Sequence, residues 1–146
     1  MRRSPMPARR TPLRSVARPA RPRNTGPTAK VRALVYERDG GCVICGGTHH
    51  LQLHHRRPRA LGGSRDQGTN LPSNLIALCI ACHLRVETDP LVMRRAYGIG
   101  GWKVKQGCDP AMVRVLHARY GSGFLTVAGG WSYEPPPGFT PQGTAA

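Results

Sequence analysis

The sequence predicts a small α+β domain that is stapled by a four-cysteine zinc site and preceded by a disordered basic arm. Two C-x-x-C pairs, Cys42 with Cys45 and Cys79 with Cys82, enclose a segment that contains a double histidine. The 146 residues include only 2 Phe, 2 Trp and 4 Tyr beside 18 Gly and 14 Pro, which leaves little apolar mass for a core. A small domain of this composition usually needs a covalent or metal staple.

The four paired cysteines are the predicted ligands of a structural zinc ion. Tetrahedral zinc takes four thiolates at about 2.3 Å, and C-x-x-C is a typical ligand spacing. The chain has five cysteines, an odd number, and in an intracellular chain the paired spacing favours metal over disulfides. Cys108 is the one left over, and we interpret it as structural.

The core elements are predicted in the order strand, loop, strand, helix, after a short amphipathic helix. Thr28 can cap this first helix, and Gly40 with Gly41 can end it. The remaining segments follow from alternation, turn residues and apolar runs. They are the strand LQLHH at 51–55, the loop at 56–73, the apolar run NLIAL at 74–78 and the helix that begins in CIACHLRVET at 79–88.

Residues 90–134 are predicted to form a C-terminal extension of uncertain fold, followed by a loose tail at 135–146. Within the extension, DPLVMRRAYG suggests a helix, and GGWKVKQG, FLTV and WSY look like short strands. We expect Trp102 and Trp131 to cover the small core.

Most of the net charge of +15 lies at the amino end of the chain. Residues 1–32 carry ten Arg or Lys and no acidic residue, whereas residues 33–89 carry six basic and five acidic side chains. Residues 1–27 hold few large apolar side chains, so we predict a disordered Arg/Pro-rich arm. Clustered Arg gains affinity for nucleic acid by releasing counterions, which favours DNA as its partner. A solvated arm without a binding role is the alternative.

The sequence contains no indication of secretion or of a membrane partner. Its Arg-rich start is not followed by the apolar stretch of a signal peptide. The longest apolar run, LIALCIAC at 75–82, is far shorter than the roughly 20 residues of a membrane helix. We therefore expect a soluble protein of the cytoplasm.

Three histidines near the cysteines need a different role, because four thiolates already complete a zinc shell. His83 follows Cys82 on a predicted helix, so the two side chains diverge by about 100°. His54 and His55 are adjacent on a predicted strand and therefore point toward opposite faces. A metal ligand and a base are the natural pair of roles for them.

With these motifs the region resembles the HNH endonucleases of the zinc-stapled kind, which have a ββα-metal active site. The resemblance covers residues 31–89, and the predicted nuclease domain is residues 28–89. Its signature elements are H-x-x-P at 55–58, PRALGG at 58–63, NLIALC at 74–79 and CIACH at 79–83. The arm and the segment RAYGIGGWKV also resemble small HNH proteins of bacteriophages of actinobacteria. That likeness implies the host cytoplasm and a role beside a phage terminase in genome packaging.

The resemblance implies a role for each residue that matches the family's motif. His55 falls on the general base, and His54 and His83 fall on the ligands of a catalytic divalent cation, Mg²⁺, Mn²⁺, Ni²⁺ or Zn²⁺. Asn74 falls on the middle letter of the motif, which holds the loop and orients the base. Asn70 is a nearby alternative without the following L-x-x-L-C context. The implied reaction is the hydrolysis of DNA phosphodiester bonds to 5′-phosphate and 3′-hydroxyl ends.

Glu87 and four arginines are further candidates. Glu87 lies four residues after His83 on the same helical face, so its carboxylate could join the metal shell. A solvated Glu87, or one paired with a nearby Arg, is the alternative. Arginine binds phosphate bidentately, so we expect DNA contacts from some of the arginines that flank the site. These are Arg56, Arg57, Arg59 and Arg85.

Two classes of function follow from the sequence. The first is a metal-dependent DNA endonuclease, in which the histidines carry the chemistry. The alternative is a non-catalytic zinc-stapled DNA-binding module, in which the cysteines and arginines suffice and the histidines are incidental. Cleavage of DNA that depends on a divalent metal distinguishes the two.

Overall fold

The computed structural model describes residues 26–59 and 66–140. Almost all of the predicted arm and the last six residues of the predicted tail lie outside these ranges. In the described part, the helices are α1 (Ala29–Asp39), α2 (Ile80–Thr88) and α3 (Pro90–Tyr97). The strands are β1 (Leu51–His55), β2 (Leu75–Cys79), β3 (Val115–His117), β4 (Gly121–Leu125) and β5 (Trp131–Ser132). Three short 3-10 turns lie at Gln67–Asn70, Pro72–Asn74 and Pro110–Met112.

Helix α1 begins and ends where the sequence predicts. The Thr28 hydroxyl accepts a hydrogen bond from the N–H of Val31 at 3.3 Å, which satisfies a free donor of the first turn. Gly40 ends the helix in the left-handed conformation, with φ of 58°. The buried carboxylate of Asp39 accepts a hydrogen bond from the N–H of Ala77 at 2.8 Å. This bond ties the end of α1 to β2.

Strands β1 and β2 form the antiparallel hairpin at the centre of the first half of the chain. His54 lies opposite Ile76, and His55 lies opposite Leu75. β2 is covered on both faces, because residues 75–78 are fully buried. Helix α2 follows β2 directly, so the order is strand, strand, helix. The predicted small α+β fold with a ββα core is confirmed.

The extension after α2 is only partly as predicted. The helix expected in DPLVMRRAYG is α3, but GGWKVKQG is not a strand. There the N–H of Lys103 donates to the carbonyl oxygen of Ala96, and the N–H of Val104 donates to the carbonyl oxygen of Arg56. These donors are therefore satisfied by a helix end and by the end of β1. FLTV contributes only its first two residues to β4, and WSY contributes two residues to β5.

One continuous core joins the extension to the first half of the chain. Trp102 is 4 % exposed and belongs to this core, and Trp131 packs against it. The prediction that both tryptophans cover the core is confirmed. Its buried members are Cys42, Val43, Ile76, Leu78, Cys82, Val86, Ala96, Trp102, Val115 and Leu125.

Strand β3, which the sequence did not predict, pairs with β4, and β4 pairs with β5 in an antiparallel sheet. Next to it, the rings of Phe124 and Phe139 meet edge to face at 5.0 Å, so this part of the predicted tail packs on the sheet. Across residues 26–59 and 66–140, none of the helices is long and apolar enough to cross a bilayer.

Candidate active site

The four paired cysteines converge between the turn after α1 and the start of α2. Their sulfur atoms all lie within 4.8 Å of one another. The sulfur atoms of Cys45 and Cys79 are 3.8 Å apart. A tetrahedral ion with bonds of about 2.3 Å holds its sulfur ligands about 3.8 Å apart. The spacing therefore fits a metal ion with four thiolate ligands, such as zinc.

Backbone hydrogen bonds shape the first cysteine turn and the thiolate of Cys79. The N–H of Cys42 donates to the carbonyl oxygen of Gly47, and the N–H of Gly46 donates to the carbonyl oxygen of Cys42. Both distances are 2.7 Å, and the two bonds close the turn. The N–H of Cys82 donates to the sulfur of Cys79 at 3.5 Å. This hydrogen bond lowers the pKa of the Cys79 thiol and so favours the thiolate that binds metal.

His54, His83 and Glu87 form a second group of potential ligands. Each offers one ligand atom, and these atoms all lie within 4.8 Å of one another. His54 comes from β1, whereas His83 and Glu87 lie four residues apart on one face of α2. The Oε1 atom of Glu87 is 3.8 Å from Nδ1 of His54, and the two imidazole centroids are 5.0 Å apart. The fold thus brings both predicted ligands and the candidate Glu87 together.

Hydrogen bonds orient both imidazoles of this group. Nε2 of His54 lies 3.1 Å from the carbonyl oxygen of Trp102, which can only accept, so Nε2 carries the proton and Nδ1 keeps its lone pair. Nδ1 of His83 lies 2.9 Å from Oε1 of Gln52, which leaves Nε2 of His83 unprotonated by the same argument. An acceptor that fixes the far ring nitrogen is the usual support of a histidine that binds metal.

The charges of the group also suit a divalent cation. Burial lowers the pKa of His54 to about 4, and repulsion from His83 adds to the effect, so this imidazole is neutral at pH 7. Partial burial opposes ionisation of Glu87, but the hydrogen bond and charge of Lys103 outweigh it and lower the pKa of Glu87. Neutral imidazole and ionised carboxylate are the forms that bind metal.

Glu87 has a different partner from the arginine that the sequence suggested. Its Oε2 atom accepts a hydrogen bond from Nζ of Lys103 at 2.6 Å. Its Oε1 atom faces His54. The carboxylate therefore belongs to an ion pair and to the group of potential metal ligands at the same time.

His55 lies on the face of β1 opposite to His54. Its Nε2 atom is 3.0 Å from Oδ1 of Asn70, so the ring N–H donates to the amide oxygen and Nδ1 keeps its lone pair. Burial lowers the pKa of His55, although the hydrogen bond to Asn70 opposes the shift. His55 is therefore neutral at pH 7, which is the form that a general base requires.

Asn74 holds the loop that follows β1. The side chain is fully buried. Oδ1 accepts a hydrogen bond from the N–H of Arg57 at 2.7 Å, and Nδ2 donates to the carbonyl oxygen of Thr69 at 2.8 Å. The loop-holding part of the predicted role fits this geometry. The direct contact with the ring of His55 is made by Asn70, the alternative that the sequence offered.

Comparison with protein families adds an independent finding. The family model described as HNH endonuclease matches residues 42–89, which include both groups of potential metal ligands and His55. Residues 42–89 are an HNH domain. Neither the curated proteins nor the solved structures contain a match to the chain. The extension that provides Trp102 and Lys103 lies outside the HNH match.

Arg56 follows the HNH strand β1, but it does not face solvent. It is fully buried, and burial lowers its pKa to about 9, which still leaves it charged at pH 7. Its guanidinium donates at 2.7–2.9 Å to the carbonyl oxygens of Ser73, Gly101, Pro110 and Val113. A guanidinium enclosed by backbone acceptors cannot reach a phosphate, so the prediction that Arg56 binds DNA is wrong.

The other three predicted DNA-binding arginines of the HNH domain are accessible to different degrees. Arg57 is mostly buried and pairs with Asp66 at 2.5 Å. Arg59 is exposed beside His55. Arg85 lies on α2 with 63 % of its side chain exposed, 3.8 Å from Asp89. Arg59 and Arg85 are thus the better placed for contact with a polyanion.

A cleft runs along the His55 side of the HNH domain. Its lining includes Arg32, Tyr36, Gln52, His55, Arg59 and His83. The cleft combines the candidate base, one candidate ligand and two arginines, so a phosphate backbone is the kind of ligand that it fits. The sequence did not single out Arg32 or Gln52. Gln52 could have been found, because it lies two residues before His54 and so shares its face of the strand.

Proposed function

We propose that this protein is a metal-dependent HNH endonuclease that hydrolyses DNA phosphodiester bonds to 5′-phosphate and 3′-hydroxyl ends. The observation that supports it best is the pairing of two oriented groups on one β-hairpin. A neutral His55 with a free Nδ1 lies on one face of β1, and a nitrogen and oxygen donor set of His54, His83 and Glu87 lies on the other. The HNH match at residues 42–89 supports the same class of reaction.

In this proposal the four cysteines bind a structural zinc ion. Four thiolates complete a tetrahedral shell, which leaves no open position for water or substrate. Cys42 and Cys82 are buried in the core, so the ion would stabilise the packing between the first cysteine turn and α2. The free energy of metal binding at such a site is free energy of folding.

His54, His83 and Glu87 are proposed to hold the catalytic divalent cation. Bound there, the cation supplies Lewis-acid stabilisation of the charge on the phosphate and on the leaving oxygen. A donor set with a carboxylate is friendlier to Mg²⁺ or Mn²⁺ than imidazoles alone, although Ni²⁺ and Zn²⁺ also accept these ligands. Trp102 and Gln52 keep the two imidazoles in the tautomers that ligation needs.

His55 is proposed as the general base, which takes a proton from the attacking water at Nδ1. Asn70 holds Nε2–H, so the ring stays aligned while it gains the second proton. General base catalysis of this kind contributes about 10²–10⁴ to the rate. Asn74 supports the loop that carries Asn70 through its bond to Thr69.

DNA is proposed to run through the cleft beside His55. Arg32 and Arg59 line that cleft. The exposed Arg85 on α2 and the mostly buried Arg57 are proposed as further phosphate contacts. The predicted arm at residues 1–27 would add phosphate contacts that carry no sequence information. A cytoplasmic setting, a phage origin and a terminase partner are further proposals, and the last two rest on the resemblance alone.

Incubation of the zinc-loaded protein with supercoiled plasmid tests the proposed activity. We expect nicked or linear DNA with Mg²⁺, Mn²⁺, Ni²⁺ or Zn²⁺, and we expect EDTA to abolish the reaction. Nicks that DNA ligase seals without further treatment would confirm the predicted ends. Binding of the plasmid without cleavage under all four metals would contradict the proposal and favour the zinc-stapled binding module.

A further inference from the structure

A buried ammonium group lies at the edge of the candidate metal site. The side chain of Lys103 is 7 % exposed, and its Nζ atom lies 2.6 Å from Oε2 of Glu87. Burial of a lysine costs free energy unless the charge is paired, and a positive charge beside a cation site opposes metal binding. Its position in this group therefore calls for a functional explanation.

The backbone on both sides of Lys103 fixes the position of the ammonium. The carbonyl oxygen of Trp102 accepts a hydrogen bond from Nε2 of His54, and the N–H of Val104 donates to the carbonyl oxygen of Arg56 at 2.7 Å. The N–H of Lys103 donates to Ala96 at the end of α3 at 3.0 Å. The segment is thus bound to β1 and to α3, and Nζ is held against Glu87.

The two oxygens of the Glu87 carboxylate face different partners. Oε1 lies 3.8 Å from Nδ1 of His54, on the side of the metal group. Oε2 is engaged by Lys103. Bidentate binding requires both oxygens of a carboxylate to face the same ion, so an ammonium that holds Oε2 on its own side favours binding through Oε1 alone. A catalytic metal needs open positions for water and phosphate.

We propose that Lys103 is a positioning residue of the metal site, which restricts Glu87 to a single oxygen ligand and keeps coordination positions open for water and phosphate. The inference rests on the proposed role of His54, His83 and Glu87 as a metal site. Lys103 makes the metal bind more weakly, because its charge repels a divalent cation and withdraws one oxygen of Glu87.

Calorimetric titration of Mn²⁺ into the zinc-loaded full chain tests this inference. Lys103→Met keeps a long unbranched side chain in the buried position but removes the charge. We expect the dissociation constant for Mn²⁺ to fall about tenfold or more. We also expect plasmid nicking at saturating Mn²⁺ to slow, because Glu87 then occupies a second coordination position. Lys103→Arg retains a cation and should keep the affinity near that of the wild type.

Lys105→Met is the matched control, because Lys105 is exposed two residues further along the same segment. It should leave Mn²⁺ affinity and nicking unchanged. Weaker or unchanged Mn²⁺ binding by a folded, zinc-loaded Lys103→Met protein would overturn the inference, since a lysine with only a structural role would give that result. If the methionine variant does not fold, Lys103→Gln, which is neutral but can donate to Oε2, must show the tighter binding. Absence of Mn²⁺ binding by the wild type would instead refute the metal site itself.

Discussion

The HNH domain at residues 42–89 and the extension at residues 90–140 contribute different things to one site. The HNH domain contains every side chain that we propose as a metal ligand or as the base. The extension contributes the carbonyl of Trp102, which orients His54, and the ammonium of Lys103, which holds Glu87. Every side chain with a proposed chemical role thus lies in the segment that matches the family, whereas two of the contacts that orient these side chains come from a segment outside the match.

Substitution of a proposed zinc ligand should have the largest effect and should unfold the HNH domain. For Cys82→Ser we expect the loss of the bound zinc together with the folded state, because structural zinc sites provide about 10–16 kcal/mol in small metal-dependent domains. Metal analysis and a thermal melt measure both. Cys108→Ser, at the cysteine outside the cluster, should keep its zinc. An unchanged melting curve with full zinc content in Cys82→Ser would refute the structural role.

Substitution of Arg56 should have the next largest effect, because it removes hydrogen bonds that connect the two regions. Arg56→Met leaves four carbonyl oxygens without their donor, three of them in the extension. We expect the free energy of unfolding to fall by about 3–5 kcal/mol, since each unsatisfied buried group costs about 1–3 kcal/mol. Urea denaturation measures the change.

The exposed Arg85 provides the control for this experiment. Arg85→Met should alter the free energy of unfolding by no more than about 0.5 kcal/mol, because its ion pair with Asp89 is exposed and long. Equal effects of the two substitutions would mean that Arg56 does not link the regions.

A smaller effect should come from a buried histidine of the extension and should depend on pH. His117 in β3 is buried, and its Nδ1 atom accepts a hydrogen bond from the N–H of Arg119 at 3.0 Å. Burial lowers the pKa of His117, so below pH 6.5 the unfolded chain binds a proton that the folded chain does not. The contribution of His117 to the free energy of unfolding is therefore fully present above about pH 6.5. It declines as the pH falls toward the lowered pKa.

The measurement is the free energy of unfolding at pH 7.5 and at pH 6.0. His117 should account for at most about 0.8 kcal/mol of the loss between these values. His117→Gln should reduce the loss, and His49→Gln, at an exposed histidine, should not. Identical pH dependence of wild type and His117→Gln would show that His117 is protonated equally in both states.

The sequence predicts the HNH side of the molecule well because its signals are local. The spacing of Cys42, Cys45, Cys79 and Cys82 and the alternation of LQLHH depend on neighbours in the chain. Helix α1 likewise follows from the cap at Thr28 and the stop at Gly40. Such patterns are visible without knowledge of the fold.

The rest could not be predicted, because it depends on contacts between distant segments. An arginine is normally exposed. Arg56 can be buried only because the fold places four backbone carbonyl oxygens from distant segments around its guanidinium. The ion pair of Lys103 with Glu87 has no sequence signal, and the irregular GGWKVKQG segment resembled a strand. The choice of Asn70 over Asn74 as the partner of His55 likewise depends on the conformation of the loop.

In the proposed site, one histidine of the HNH domain takes a proton while two others hold a metal. Plasmid cleavage as a function of Mn²⁺ concentration tests this division of roles, with zinc content and melting temperature measured for each variant. His55→Ala should cut about 10²–10⁴ more slowly at every Mn²⁺ concentration, with an unchanged half-saturation point. His83→Ala should need more Mn²⁺ for half-maximal cleavage and recover as the metal is raised. A folded His55→Ala protein that cuts at the wild-type rate would contradict the account.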